Sequence, residues 1–215
     1  MNLENNKIVL LANGNFPLHQ KPLEILNNSD IIICCDGAST NAINHGYTPN
    51  LIIGDLDSIK KGIIELDEIK MINLPNQNEN DLRKSLLWIA EHNGQAVDIL
   101  GATGKRDDHS IANIFSICQM DIDLTMKITT DYGVFMPLTN KTVIKTFRNQ
   151  KISLFCTSNK TKITADNLKY PLNEMRFNTL YEGSLNFATK DKLDILVENG
   201  TALIFLAHKG IDDGK

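Results

Sequence analysis

The stretch Leu51–Ser58, LIIGDLDS, joins a short apolar run to a glycine and two aspartates. The apolar run predicts a strand that is buried on both faces, which is typical of a parallel sheet. The aspartates would then lie just beyond the carboxyl end of that strand, where open parallel sheets bind their ligands. The stretch therefore predicts an α/β fold and also the edge of the sheet that carries the chemistry.

Similar apolar runs recur on both sides of this stretch, up to about residue 131. We predict six strands buried on both faces: Lys7–Ala12, Asp30–Asp36, Leu51–Ile53, Lys70–Asn73, Val97–Gly101 and Leu124–Thr130. Two segments between them have helical periodicity and would present an apolar face: Asn80–Asn93 with Leu82, Leu86, Ile89 and Ala90, and Asp107–Cys118 with Ile111, Ile114, Phe115 and Cys118. This alternation predicts a parallel, Rossmann-like sheet with right-handed crossovers in a domain of residues 1–131.

The pattern of apolar and turn residues changes from Tyr132 onward. Short strand-like pieces are separated by Asn/Lys, Pro and Glu-Gly clusters: Thr142–Phe147, Lys151–Thr157, Thr161–Leu168, Leu185–Thr189, Leu193–Val197 and Ala202–Ala207. No long amphipathic helix is visible in this half of the sequence. We therefore predict a second domain, residues 132–215, that is an antiparallel β-sandwich.

Composition narrows the class of function. The 215 residues are 42% hydrophobic and 22% charged, which is ordinary for a globular protein, and the net charge of -4 provides no broad field for nucleic acid. The first seven residues lack a signal-peptide pattern, and no apolar run is long enough to span a membrane. The four cysteines have no metal-site or disulfide spacing. We expect a cytoplasmic protein with reduced thiols and with neither nucleic acid nor membrane as a partner.

Acidic residues lie at the ends of two predicted strands and at the start of a predicted helix. Asp36 ends the second strand, Asp55 and Asp57 follow the third, and Asp81 lies at the start of the helix Asn80–Asn93. In an extended backbone, residues two apart point the same way, so Asp55 and Asp57 would face one site. Carboxylate oxygens of this kind suit Mg²⁺. Helix capping for Asp36 and Asp81, and an ordinary turn for Asp55 and Asp57, are the alternatives.

A phosphate site is predicted in the segment Gly101–His109, GATGKRDDH, after the fifth strand. Its small residues, Gly104 among them, would let a phosphate approach the backbone N–H groups at the start of the next helix. Lys105 and Arg106 add positive charge. The Gly-Lys-Ser/Thr ending of a Walker loop is missing. His109 is either a site residue beside Asp108 and Arg106 or a surface residue at a helix start.

The spacing of these motifs resembles thiamine pyrophosphokinase. The resemblance is carried, in chain order, by Asp36-Gly37, Pro49–Ser58, Gln77 with Asp81, Leu82 and Lys84, Gly101–Gly104 with Arg106, Asp108 and His109, and Asn167–Leu172. It covers almost the whole chain. It implies a two-domain homodimer, with its active site in the crevice between subunits, that uses ATP and Mg²⁺ to transfer a pyrophosphoryl group to the thiamine hydroxyl and releases AMP.

The resemblance also implies a role for each matching residue. By motif position, Asp36, Asp55, Asp57 and Asp81 resemble the family's acidic metal cluster. The chemistry of phosphoryl-type transfer further predicts Mg²⁺ on Asp55, Asp57 and Asp81, with Asp36 as the carboxylate that would accept the thiamine hydroxyl proton. The nucleotide side would comprise Gly104, Arg106, Asp108 and His109. Gln77 and Asn186 are candidates for thiamine contacts. Independently of the resemblance, Tyr170, Phe177 and Phe187 are candidates for apolar surface at a dimer interface, with core packing as the commoner alternative for such aromatic side chains.

The sequence departs from the family pattern at four positions. Ala38 and Lys105 stand where the family usually has glycine, Asn76 where it has an acid, and Leu185 where it has serine. Two other functions are therefore considered. One is pyrophosphoryl transfer to another small alcohol, such as a hydroxymethyl pterin, and the other is a non-catalytic sensor of thiamine or nucleotide.

Overall fold

The computed structural model describes residues 1–57, 68–76 and 78–211. Ser58 and Gln77, which belong to the motifs above, lie outside these ranges. The chain divides into two compact units. Unit 1 comprises Met1–Ser116 and Met120–Asp131, and unit 2 comprises Ile117–Gln119 and Tyr132–Lys215. Across the described ranges, no helix combines the length and apolar character needed to cross a membrane.

Unit 1 is built on a parallel sheet of six strands. The strands are β1 Ile8–Leu11, β2 Ile31–Cys35, β3 Leu51–Gly54, β4 Lys70–Asn73, β5 Ala96–Leu100 and β6 Thr125–Thr129. Their order in the sheet is β6-β5-β1-β2-β3-β4. The described helices are α1 Gln20–Asn27, α2 Ala38–Asn44, α3 Asp81–Glu91 and α4 Asp107–Ser116. The α/β prediction for this half of the chain is confirmed.

The strand order explains where a ligand can bind. The first strand pairs with β2 on one side and with β5 on the other, through Leu10↔Ile33 and Leu10↔Ile99. The chain therefore runs outward from β1 to β4 and returns to the middle of the sheet before it continues through β5 to β6. This reversal is a topological switch point, and in open parallel sheets the ligand crevice lies beyond the carboxyl ends of the strands at that point.

Burial differs from the prediction in two elements of unit 1. The strand β4 is the edge strand and its end residues Lys70 and Asn73 are exposed, so the prediction that it is buried on both faces was wrong. In α4, Ile111 is 60% exposed, so the apolar face predicted for this helix does not form as expected. In α3, Leu82, Leu86 and Ile89 are buried as predicted.

Unit 2 is an antiparallel β-structure, as predicted. Its strands are β7 Gly133–Lys145, β8 Lys151–Cys156, β9 Lys162–Asp166, β10 Leu172–Met175, β11 Asn186–Phe187 and β12 Lys192–Ala207. The first half of β12 pairs with β9 and its second half with β8, while β7 pairs along both halves. A register shift between Val197 and Ala202 bends the strand. Side chains from both halves enclose one core that includes Leu154, Ile163 and Ile204.

Candidate active site

A cleft of about 690 Å³ opens at the carboxyl edge of the parallel sheet in unit 1. Its walls come from the segments that follow β1, β2, β3 and β5, and from the first turns of α3 and α4. A volume of this size is typical of a site for a small molecule or cofactor. The cleft therefore lies where the strand order predicts a ligand.

Asp36 lies at the floor of this cleft and is only 4% exposed. Its φ angle is +27°, in the left-handed region that residues other than glycine rarely adopt. Gly37, with a φ of -61°, is the N-cap residue of α2. The sharp turn between β2 and α2 is therefore at Asp36, and Asp36 is not the N-cap residue of α2.

Gly54, the last residue of β3, allows Asp36 to occupy this position. A Cβ atom on Gly54 would lie 2.8 Å from the Cβ of Asp36, closer than real Cβ contacts come. The backbone N–H of Asp36 also donates to the carbonyl of Ile53 at 3.0 Å. The end of β3 and the turn after β2 are thus packed against each other without room for a side chain between them.

Asp55 and Asp57 follow Gly54 and meet Asp36. One carboxylate oxygen from each of the three residues lies within 4.8 Å of the other two, and we call this set the carboxylate cluster. Leu56, between the two aspartates, has a φ of +65°, so the backbone is a turn and not the extended segment that the sequence argument assumed. The convergence of Asp55 and Asp57 was predicted, but the reason given for it was wrong.

Asp81 lines the same cleft but does not belong to the carboxylate cluster. It lies in the first turn of α3, where Asn80 caps the helix by accepting from the N–H of Arg83. Its carboxylate accepts a hydrogen bond from Lys84 Nζ at 3.1 Å. The side chain of Lys84 is only 5% exposed. Asn80 is therefore the N-cap residue, and Asp81 lies in the first turn, where a carboxylate also interacts favourably with the helix start.

The cysteines near the cleft are not nucleophiles. Burial raises the pKa of the Cys35 thiol to about 12, against a weaker opposing effect of its contact with Ser85, and burial also raises the pKa of Cys34. Only a thiolate attacks readily, and neither residue forms one near neutral pH. Cys34, Cys35, Cys118 and Cys156 are all free, as expected.

The other wall of the cleft contains the loop Gly101–Arg106, which we call the glycine loop. Gly101 and Gly104 have positive φ angles, +63° and +86°. The loop is joined to the segment after β1 by two backbone bonds, Gly14 N–H to the Gly101 carbonyl at 2.7 Å and Asn15 N–H to the Thr103 carbonyl at 2.8 Å. That segment, Asn13–Asn15, is not among the predicted site residues, although an Asn-Gly-Asn turn signal directly after a buried strand could have indicated it.

Arg106 and Asp108 form a paired unit at the outer end of the glycine loop. Arg106 Nε donates to Asp108 Oδ1 at 3.1 Å and Arg106 Nη2 donates to Asp108 Oδ2 at 2.6 Å. The guanidinium holds the pKa of Asp108 down, at about 2, and both side chains are largely exposed. His109 and Gly104 line the cleft beside them. The four predicted nucleotide-side residues are therefore near one another, and three of them lie on the first turn of α4 or just before it.

Asn186, in unit 2, is 5% exposed and its amide bonds to backbone groups. Its Nδ2 donates to the carbonyl of Tyr170 at 2.8 Å, and its Oδ1 accepts from the N–H of Tyr170 at 3.1 Å. Leu185 beside it is 78% exposed with a φ of +58°. Of the three aromatic residues considered for an interface, Tyr170 is 58% exposed, whereas Phe177 belongs to the core of unit 2.

Two family models match the chain. The catalytic domain of thiamin pyrophosphokinase matches residues 23–130, and the substrate-binding domain of thiamin pyrophosphokinase matches residues 133–205. Thiamin pyrophosphokinase 1 of Caenorhabditis elegans is 32% identical over 89 residues, which are 39% of this chain and 36% of that relative's length.

Solved structures agree in fold. Thiamine pyrophosphokinase from Bacillus subtilis superposes with a TM-score of 0.76 at 18% identity, covering 94% of this chain and 99% of the other. Thiamin pyrophosphokinase from Candida albicans superposes with a TM-score of 0.79 at 17% identity, covering 93% of this chain and 88% of the other. At these identities the likeness concerns the fold, and it confirms a parallel-sheet region followed by an antiparallel β-region.

Proposed function

The chain belongs to the thiamin pyrophosphokinase family, and we propose that it transfers a pyrophosphoryl group from ATP to the hydroxyl of thiamine, giving thiamine diphosphate and AMP. The observation that carries this proposal is the carboxylate cluster, which opens into a cleft whose other wall is the glycine loop. One wall thus offers oxygen ligands for a metal ion and the other offers N–H groups and cations for phosphate, as phosphoryl-type transfer requires. The family match favours thiamine over a pterin alcohol and an enzyme over a sensor.

The carboxylate cluster fits Mg²⁺. Its donors are hard carboxylate oxygens, and three carboxylates within 4.8 Å repel one another in a way that a divalent cation would offset. When bound, the ion would neutralise charge on the phosphate oxygens. We propose that Asp55 and Asp57 hold it. The distances favour Asp36 over Asp81 as the third ligand, although Asp81 was the residue expected from the sequence.

The fourth carboxylate then has a different task. Under this arrangement Asp81 is the group left to accept the thiamine hydroxyl proton, and Lys84 holds its carboxylate in place at 3.1 Å. The opposite arrangement, expected from the sequence, has Asp81 on the ion and Asp36 as the base. Magnesium titrations of Asp36→Asn and Asp81→Asn decide between them, because only the loss of a ligand raises the Mg²⁺ concentration needed for half-maximal rate.

The glycine loop would bind the nucleotide. Gly104 and His109 line the cleft on this wall, and Arg106 has guanidinium N–H groups beyond the two that bond Asp108. Asp108 would orient Arg106. We propose residues 1–131 as the domain for ATP and Mg²⁺, and residues 132–215 as the domain for thiamine and dimerisation.

The thiamine contacts are proposed on family grounds. The substrate-binding domain model covers residues 133–205, which include Asn186. Because the Asn186 amide already bonds Tyr170 on both sides, we expect it to shape the thiamine pocket by fixing the backbone of that segment. Gln77, the other candidate, lies outside the described residues. We further propose a cytoplasmic homodimer, in which exposed Tyr170, Tyr181 and Leu185 supply apolar surface.

The decisive experiment measures AMP. Purified protein mixed with ATP, Mg²⁺ and thiamine should form AMP and thiamine diphosphate in equal amounts. A parallel reaction with a hydroxymethyl pterin should form neither AMP nor a pterin diphosphate. Binding of ATP and thiamine without AMP formation would contradict the proposal and support a sensor. Light scattering should give a dimeric mass, and a fully active monomer would contradict the dimer alone.

A further inference from the structure

We infer that Lys105 is a phosphate-binding residue, which supplies the cleft with a positive charge that no carboxylate among the described residues pairs with. This inference rests on the proposed function, because it takes the nucleotide triphosphate as the anion.

The backbone of Lys105 is the first observation. Its φ angle is +60°, and an L-residue with a side chain adopts this left-handed conformation at a cost that glycine does not have. Glycine would therefore be the easier residue at this point of the loop. A lysine kept in a strained conformation indicates that its side chain has a task that offsets the strain.

The side chain supplies the second observation. Lys105 Nζ donates a hydrogen bond to Asn13 Oδ1 at 2.9 Å, which brings it from the glycine loop to the segment after β1. Both residues line the cleft. The ammonium group is thereby held at the wall opposite the carboxylate cluster, with further N–H donors available to a ligand, because a lysine has three.

A comparison with the other cations of the cleft is the third observation. Lys84 is paired with Asp81, and Arg106 is paired with Asp108 through two hydrogen bonds. Over residues 1–57, 68–76 and 78–211, the structure gives Lys105 no carboxylate partner, and its contact with Asn13 is with a neutral amide. An anion that binds Lys105 therefore displaces no ion pair, whereas one that binds Lys84 or Arg106 competes with a carboxylate.

The start of α4 explains why such a charge is needed. The N–H groups at a helix start attract phosphate, but this first turn has two carboxylates, Asp107 and Asp108, which oppose an anion. Arg106 offsets one of them. Lys105 adds a second positive charge, which offsets the other carboxylate, on the side of the loop that lines the cleft.

Three substitutions at one position test the inference. Lys105→Gly removes the charge and relieves the strain, Lys105→Asn removes the charge and keeps a side chain that tolerates positive φ, and Lys105→Arg keeps the charge. ATP dissociation constants are measured by calorimetry over a range of salt concentrations, with KM and kcat from AMP formation. Lys70→Asn is the control, because Lys70 is exposed at the opposite end of the sheet, at the start of β4.

We expect Lys105→Gly and Lys105→Asn to weaken ATP binding about tenfold, as for loss of one charged hydrogen bond, with a shallower salt dependence. Lys105→Arg should restore most of the affinity, and Lys70→Asn should match the unmodified protein. The KM for ATP should rise more than the KM for thiamine. Because glycine suits φ of +60°, Lys105→Gly should unfold at the same or a higher temperature.

Two results would overturn the inference while the proposed function stands. One is unchanged ATP affinity in Lys105→Gly and Lys105→Asn. The other is an equal loss in all three variants, including Lys105→Arg, because that would show a role in loop packing and not in charge. If the unmodified protein forms no AMP and binds no ATP, the proposed function fails first and this inference fails with it.

Discussion

The carboxylate cluster and the glycine loop are the two walls of one cleft, and they are built in opposite ways. In the carboxylate cluster Asp36 is held by close packing, because it is buried and a Cβ on Gly54 would not fit beside it, while Asp55 is partly buried and Asp57 is exposed. The glycine loop has its charged side chains in solvent, and Arg106 is 66% exposed with a local partner. We therefore expect substitutions in the carboxylate cluster to change the rate of the reaction, and substitutions in the glycine loop to change the affinity for ATP in a salt-dependent way.

The largest effect is expected at Asp55 and Asp57. Asp55→Asn or Asp57→Asn should lower turnover by about 100-fold or more, because each removes a charged oxygen from the proposed metal site while the neighbouring packing stays the same. The measurement is kcat for AMP formation as a function of Mg²⁺ concentration. Circular dichroism should show an unchanged fold.

Asp123→Asn is the matched control. Asp123 is exposed and precedes β6, at the opposite end of the sheet from the cleft, so its loss removes the same charge elsewhere in unit 1. Full activity of both Asp55→Asn and Asp57→Asn at low Mg²⁺ would show that neither residue holds the ion. Equal losses in Asp123→Asn would show an effect of net charge.

A smaller effect is expected when the packing behind Asp36 is changed. Gly54→Ala places a Cβ atom 2.8 Å from the Asp36 Cβ, so the carboxylate must move. We expect turnover to fall about 10- to 100-fold, since small misplacements of catalytic groups have effects of this size. The free energy of unfolding should fall by about 1–3 kcal/mol, as in other overpacked sites.

Gly46→Ala is the control that separates a loss of stability from a displacement of the Asp36 carboxylate. Gly46 has a φ of +83° and no atom within 4 Å of an added Cβ, so the substitution strains the backbone without touching Asp36. It should lower the free energy of unfolding by about 1 kcal/mol and leave turnover unchanged. If Gly54→Ala kept full turnover while losing stability, the position of Asp36 would be unimportant for the reaction.

An effect on binding is expected in the glycine loop. Arg106→Ala should weaken ATP binding about tenfold and thiamine binding much less, because a guanidinium recognises phosphate oxygens. Calorimetry with each ligand separately provides the comparison, and Arg148→Ala, which removes an exposed arginine from unit 2, is the control. Unchanged ATP affinity would leave Arg106 as the partner of Asp108 and nothing more.

The sequence predicts the positions of the strands in unit 1 better than it predicts how deeply each strand is buried. Apolar runs such as Ile8–Leu11 and Leu51–Gly54 are unambiguous because both faces of these strands are buried. Strand β4 looks similar in the sequence, but its exposure depends on being the edge strand, which only the sheet order determines. In unit 2, β12 was predicted as two strands, because the turn residues Asn199 and Gly200 mark a bend within one strand.

The sequence indicated which types of residue form the site, but it did not indicate their backbone conformation or their contacts. Aspartates after buried strands indicated the cleft, but the left-handed backbone at Asp36 and Leu56 is imposed by tertiary packing and has no local signal. The pairing of Asp81 with Lys84 has a spacing that suits a helix, and it was overlooked in favour of the metal. The Asn13–Asn15 segment was missed because its role depends on contact with a loop about 90 residues later in the chain.

The smallest expected effect concerns the charge state of Asp108. Its pKa is lowered from 3.8 to about 2, first through the hydrogen bonds from Arg106, so it is ionised at all pH values where the protein is active. A lowered pKa in the folded protein contributes stability above pH 3.8, and that contribution is lost as the pH falls towards 2. In Arg106→Ala the pKa of Asp108 should therefore return towards 3.8, as followed by NMR titration of the carboxyl carbon. Because the pair is exposed, high salt should also raise the pKa of Asp108 in the unmodified protein. The difference in stability between the unmodified protein and Arg106→Ala should be small and confined to pH values above about 2. Arg148→Ala should leave the titration unchanged. An Asp108 pKa near 3.8 in the unmodified protein would show that Arg106 is not held by Asp108 in solution, and Arg106 would then be a second cation on the glycine loop that can bind phosphate without displacing a carboxylate.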